Sequence, residues 1–202
     1  MSKLIDVRKD YIINESKNLF LKKGIESVLI KDIAYKTNVG EATIYRYFKK
    51  KDNLVIQAAI LIQNEILPKY FNFDEGKSGI ELIKDYYEIF LKIFNDHQNY
   101  YTFLKELDVY ILRNDIKELE EYELGIKNFG LIYQKMVIKG LNDNTLKKDL
   151  DYETFFYSST HALLGICEKL ALGKAIIKQD EKQKKNEEIE LLINSFINFI
   201  KN

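Results

Sequence analysis

The sequence predicts an all-α protein, with three short helices at the amino end and about six longer ones behind them. Three observations carry this expectation. Apolar residues recur at the helical period in nearly every segment, and no strand-type alternation persists anywhere. Only one proline and nine glycines occur in 202 residues, too few turn formers for a β-rich architecture. The composition, 46% hydrophobic and 31% charged, supplies a real core and a solvated surface.

The elements follow in order. Ile12, Ile13, Ser16, Leu19 and Phe20 share one face of a first helix, and Gly24 offers its stop. A second helix covers about residues 30–36, with Ile33 and Ala34 inward. The stretch TNVG (37–40) is a tight turn: Asn38 tolerates a left-handed backbone, and Gly40 suits the next N-cap. A third helix, about residues 41–48, sets Ile44 and Phe48 on one face at i, i+4. Asp52 is the expected cap of a fourth helix, which runs to near Leu67 before Pro68. That helix is expected to bridge the amino-terminal part and the remainder.

Beyond a polar break (NFDEGKSG, 72–79) come apolar-periodic runs at about 80–95, 100–112, 115–140 and 152–172. Residues 141–151 read as a loop and 173–188 as a mostly charged connector. A last helix covers about 189–200. No repeat and no low-complexity tract appears.

Charge divides the chain. Residues 1–53 carry 12 Lys and Arg against 7 Asp and Glu, and the remaining residues carry 19 against 24. A basic head on an acidic body points to a polyanionic partner, although an uneven solvated surface accounts for the same numbers. Cys167 is the single cysteine, which excludes an intramolecular disulfide and favours a reducing, cytoplasmic setting. The first residues lack the apolar core of a signal peptide. No apolar run reaches the roughly 20 residues that cross a bilayer, so no membrane is expected. Two histidines and one cysteine make no metal cluster, and nothing calls for a cofactor. The sequence holds no GxGxxG, P-loop, HExxH or paired-cysteine motif, so an all-helical enzyme is the disfavoured reading.

Two short helices joined by a four-residue turn and braced by a longer one make a helix-turn-helix. The third helix, EATIYRYF, meets both demands on a recognition helix. Ile44 and Phe48 anchor it, while Ala42 and Thr43 keep its leading end slim enough for a major groove. Tyr45, Arg46 and Tyr47 add hydroxyls and a guanidinium, and Lys49, Lys50 and Lys51 follow where phosphates would pass. The candidate DNA contacts are therefore Lys31, Ala42, Thr43, Tyr45, Arg46, Tyr47, Lys49 and Lys51. A structural role competes for Tyr47, which also suits a half-buried site.

Residues 8–54 resemble the amino-terminal domain of the tetracycline-repressor (TetR) family of bacterial transcription regulators. The resemblance rests on LF (19–20), Gly24, DIA (32–34), Val39 and above all TIYRYFKKKDNL (43–54). It covers about a quarter of the chain. It implies that Thr43, Tyr45, Tyr47 and Lys51 touch DNA. It also implies a helix-turn-helix domain over 1–50 and a helical effector-binding and dimerisation domain over 51–202. The chain departs from the pattern at Leu29, where the family commonly has Thr or Ser, at Asn38 for Gly, at Gly40 for Ser, and at Glu15 and Ser16 for two alanines.

The resemblance implies a homodimer on a double-stranded DNA operator and a small-molecule effector. For the dimer seam the candidates are Ala162, Leu164, Gly165, Leu192, Phe196 and Ile200, unless these pack inside one chain. For the effector the candidates are Tyr86, Phe90, Phe103, Leu107, Tyr110, Phe129, Tyr133, Tyr157 and His161. Aromatic rings with hydroxyl tips suit a flat or greasy ligand, although such stripes at helical spacing also build ordinary cores. The expected function is a ligand-responsive repressor. The alternative is a DNA-binding regulator that is constitutive or controlled by a protein partner.

Overall fold

Helical periodicity is realised throughout the described residues. The computed structural model describes residues 2–173 and 184–202, and side chains from residue 7 onward. Most of the expected connector, residues 174–183, lies outside the described residues. The described residues form α1 (Ser2–Lys23), α2 (Ile30–Thr37), α3 (Glu41–Phe48), α4 (Lys51–Ile66), a 3-10 turn (Leu67–Lys69), α5 (Gly79–Asp96), α6 (Gln98–Arg113), α7 (Glu120–Asn142), α8 (Tyr152–Ala171) and α9 (Lys185–Ile200). They hold no strand, only an isolated antiparallel bridge between Leu146 and Lys201. No described helix is long and apolar enough to cross a membrane.

The chain divides into two compact units, Met1–Leu67 with Thr102–Gly125, and Pro68–Tyr101 with Ile126–Asn202. The whole of α4 belongs to the first, while α6 and α7 contribute residues to both.

In the first unit, Ile12, Phe20, Ile25, Val28, Ile33, Ile44 and Leu54 are sealed from solvent. Burying side chains of this size supplies about 1.5–3 kcal/mol each, which is what holds helices of only eight residues in place. Gly24 ends α1 at φ +85°, its N–H donating to Phe20 O at 2.9 Å. Leu29, at the N-cap of α2, has no side-chain acceptor. Asp32 reaches back from the first turn instead and accepts from Leu29 N–H at 2.8 Å. Asn38 closes α2 with a left-handed backbone (φ 53°, ψ 37°). Gly40 takes the N-cap of α3.

One expected cap is corrected. Asp52 does not cap α4, which begins at Lys51 with Lys50 as its N-cap and no side-chain cap bond. Asp52 lies inside the first turn, where it accepts from the Tyr110 hydroxyl at 2.8 Å.

In the second unit α5 packs against α8 and α9. Ser78 and Glu81 start α5, the Glu81 carboxylate accepting from Ser78 N–H at 2.9 Å. Asp151 caps α8 by accepting from the N–H groups of Glu153 and Thr154. The run expected from residue 115 starts later, because Asp115 takes φ 48° and breaks the helix after α6. Glu120, Glu121 and Glu123 then open α7, where carboxylates favour the helix dipole. Cys167 is buried, and burial pushes its thiol up to about 12, the state of an inert core residue.

Two glycines meet where α5 begins. A Cβ on Gly79 would stand 2.1 Å from the Cα of Gly140, so only glycine fits. Gly165 on α8 has nothing within 4 Å of an added Cβ. Gly79→Ala is expected to lower stability by about 2–3 kcal/mol, whereas Gly165→Ala raises it by up to about 1 kcal/mol. Urea unfolding midpoints of both variants check the pair, and equal midpoints would contradict the packing described.

Candidate nucleic-acid interface

The interface is built on α3, whose eight residues divide cleanly by face. Ile44 and Phe48 are buried, and Glu41, Ala42, Tyr45 and Arg46 are exposed. Thr43 and Tyr47 are half-buried along the margins. The helix is thus fixed from behind, and its small leading residues, one guanidinium and one tyrosine hydroxyl face solvent. Arg46 lies 5.3 Å over the Tyr47 ring and Lys9 lies 5.9 Å from the same centroid. Lys31 is exposed in the first turn of α2.

The exit from α3 is strained. Lys49 adopts φ 63° and ψ −52°, and Lys50 N–H donates to Phe48 O at 2.7 Å across it. This is a γ-turn of the rare, strained kind. The Asn53 side-chain amide also donates to Phe48 O, at 3.0 Å. The sharp reversal leaves Lys49 and Lys50 exposed beside the recognition helix. Lys50 has Asp52 at 3.3 Å.

Lys51 departs from the expectation that it grips a phosphate. Its ammonium donates to Ile25 O at 2.6 Å and lies 5.5 Å from the Tyr110 ring centroid. Burial draws its pKa below the ordinary lysine value, against the raising influence of Glu26, Asp52 and Asp32. The loop it holds is clamped further. Ile25 N–H donates to Glu106 Oε2 at 2.7 Å, and Arg113 pairs with Glu26 at 3.0 Å. Tyr110 has its pKa raised by burial and by its bond to Asp52. No local pattern signals this clamp, because Glu106 and Ile25 stand 81 positions apart.

The candidate effector residues do not form one set. Phe103, Leu107 and Tyr110 are buried in the first unit. In the second, Tyr86, Phe129 and Tyr133 join Phe71 and Phe156 in a cluster of touching rings. Tyr133 and Phe156 have centroids 4.8 Å apart, and Phe71 and Phe129 4.5 Å. Phe90 adjoins Tyr86 at 6.5 Å. The Tyr87 hydroxyl bonds Ser159 at 2.7 Å and Tyr133 at 3.1 Å, and burial raises its pKa to about 12.

Tyr157 and His161 are both exposed, their rings 6.3 Å apart on the outer face of α8. The inner face is taken by Ser159, Leu163, Cys167 and Leu170. Of the seam candidates, Ala162 and Gly165 are exposed, and Leu164, Leu192 and Phe196 are half-buried. Phe196 leans on Tyr87 and Phe155. Ile200 is fully buried within its own unit, near the Leu146 bridge at the end of α9.

Residues 12–58 match the family described as bacterial regulatory proteins, tetR family. The uncharacterized HTH-type transcriptional regulator YerO of Bacillus subtilis (strain 168) is 27% identical over 114 residues, 55% of this chain and 39% of that protein. YvkB of the same organism, likewise an uncharacterized HTH-type regulator, is 48% identical over 44 residues, 22% of this chain and 23% of that protein. The matches therefore span well under half the length of these curated relatives. A TetR transcription regulator from Haloarcula marismortui ATCC 43049 shares the fold, with a TM-score of 0.76 over 98% of this chain and 100% of that one at 11% identity. Residues 12–58 thus match the helix-turn-helix domain of tetR-family regulators, and the described residues share the fold of a solved TetR regulator.

Tyr45→Ala and Arg46→Ala are each expected to weaken duplex binding by about 1–3 kcal/mol with unfolding unchanged, because both side chains are exposed. Lys51→Ala is expected to cost about 1–2 kcal/mol of stability through the lost bond to Ile25 O. Lys49→Gly relieves the γ-turn and is expected to raise stability by about 1 kcal/mol while weakening DNA binding. Fluorescence anisotropy on a labelled duplex and urea denaturation, run on all four variants, separate the two effects.

Proposed function

We propose that this chain is a ligand-responsive repressor that binds a palindromic operator as a homodimer and is released by a small hydrophobic or aromatic effector. The observation that carries the DNA part is the division of α3 into a buried anchor, Ile44 and Phe48, and an exposed face bearing Tyr45 and Arg46. Residues 1–50 form the DNA-binding domain in this reading, and residues 51–202 serve effector binding and dimerisation. One recognition helix reads only a few base pairs, so a useful operator needs two heads about 34–36 Å apart.

The outer face of α8 and α9 supports self-association. Ala162 and Gly165 leave room for close approach, while Tyr157, Leu191 and Phe199 are large apolar groups more than half exposed. Ile200 stays outside this seam because it is buried within its own unit. The aromatic cluster that includes Phe71, Phe129, Tyr86 and Phe156 supports an apolar effector, because the phenylalanine rings touch through apolar contact alone and can part without breaking a hydrogen bond. The close ring contacts equally favour the second reading, a regulator governed by a protein partner.

The deciding experiment selects bound duplexes from random DNA with the full chain. Recovery of inverted half-sites supports the proposal, and recovery of no preferred sequence overturns it. Gly165→Arg adds bulk where its own chain leaves space, so it is expected to keep the fold yet shift sedimentation from dimer to monomer. A dimer that persists in this variant removes the seam assigned to α8. A thermal-shift screen of fatty acids, steroids and planar aromatics then tests the effector: stabilisation with loss of DNA binding supports it, and a null result favours protein control.

A further inference from the structure

The helix-turn-helix is not the whole of the basic surface around α3. Two clefts border this helix, and α1 lines both of them. In one, Val7, Arg8 and Tyr11 of α1 share the lining with Asn38, Gly40 and Thr43. In the other, Lys9, Asp10 and Ile13 share it with Tyr47, Lys49 and Lys50. Arg8 and Lys9 are neighbours on one helix, so their side chains diverge by about 100° and reach the two clefts separately. Arg8 and Tyr11 are exposed, and Lys9 is held over the Tyr47 ring at 5.9 Å.

We propose that the amino-terminal turns of α1 form part of the DNA interface, with Arg8 and Tyr11 contacting the phosphate beside Thr43 and Lys9 the phosphate beside Tyr47. The inference rests on the DNA-binding reading above and extends the contact surface beyond α2 and α3. Thr43 and Tyr47 lie a turn apart on α3, so a backbone running along that helix passes both clefts. The two clefts are not equal. The residues lining the Arg8 cleft include no carboxylate. The Lys9 cleft also takes in Asp10 and Glu118, which leaves three lysines against two carboxylates. Arg8, with a guanidinium that matches phosphate geometry, is therefore the stronger contact, and Lys9 the weaker one. The Tyr11 hydroxyl adds a neutral donor on the Arg8 side.

The test measures the salt dependence of duplex affinity by anisotropy, using the full chain and a duplex recovered by selection. Each phosphate contact contributes about 0.9 to the slope of log affinity against log salt, so a dimer lacking one contact per head loses about 2. Arg8→Ala is expected to weaken binding about tenfold and to lower the slope by this amount. Lys9→Ala should do the same more weakly, about threefold, and Arg8→Lys should retain most of the slope. Tyr11→Phe should lower affinity about twofold with the slope unchanged. Lys22→Ala removes the same charge about 21 Å further along α1 and serves as the control for net charge. Arg8→Ala and Lys9→Ala binding like the unmodified chain, while Arg46→Ala fails, overturns the inference and leaves the DNA reading standing. An equal loss of slope in Lys22→Ala also overturns it. If the unmodified chain binds no duplex, both fall together.

Discussion

The two-faced burial of α3 is the constraint on which the rest depends. Eight residues are too few to hold a helix in water, so α3 exists only because Ile44 and Phe48 sink into the core made with α1, α2 and α4. That anchoring fixes the rotation of the helix about its axis. The same rotation turns Ala42, Tyr45 and Arg46 outward and leaves Thr43 and Tyr47 on the margins. Folding energy and the geometry of the proposed contact surface thus come from one set of side chains.

The surroundings of α3 tighten the arrangement from both ends. Before it, Asn38 takes a left-handed conformation that lets α2 and α3 meet in a short turn. After it, the γ-turn at Lys49 folds the chain back into α4 with bonds to the Phe48 carbonyl from Lys50 and Asn53. Strain of this sort persists only where the neighbours over-determine it. Further away, Lys51, Glu106 and Arg113 hold the loop between α1 and α2, so the head is fastened by polar bonds as well as by apolar contact. Lys51 shows the cost of reading charge from sequence alone: a cation beside a recognition helix can be committed to a backbone carbonyl.

The second unit follows a different logic. Its rings stack on one another, with Tyr87, Tyr133 and Ser159 satisfying each other's hydroxyls in the interior. Spacing in the sequence set Phe129 and Tyr133 on one face of α7, and both rings join the cluster, Tyr133 buried and Phe129 half-buried. Periodicity carries no information on which inward rings meet, and it grouped Phe103 and Tyr110 with partners from another unit. Tyr157 and His161, named as effector candidates, are exposed, and the α8 surface turned inward is the one bearing Ser159, Leu163 and Cys167.

The sequence by itself determined the helical class, the helix order, the stop at Gly24, the turn at Asn38 and the two anchors of α3. These follow from local spacing and from single-residue backbone preferences, which act within a few positions. Tertiary structure alone decided which partner each polar group takes. Asp52 went to Tyr110 instead of capping its helix, Glu106 reached Ile25, and Gly79 met Gly140. Such pairings depend on distances between residues far apart in the chain, and no local pattern encodes those distances.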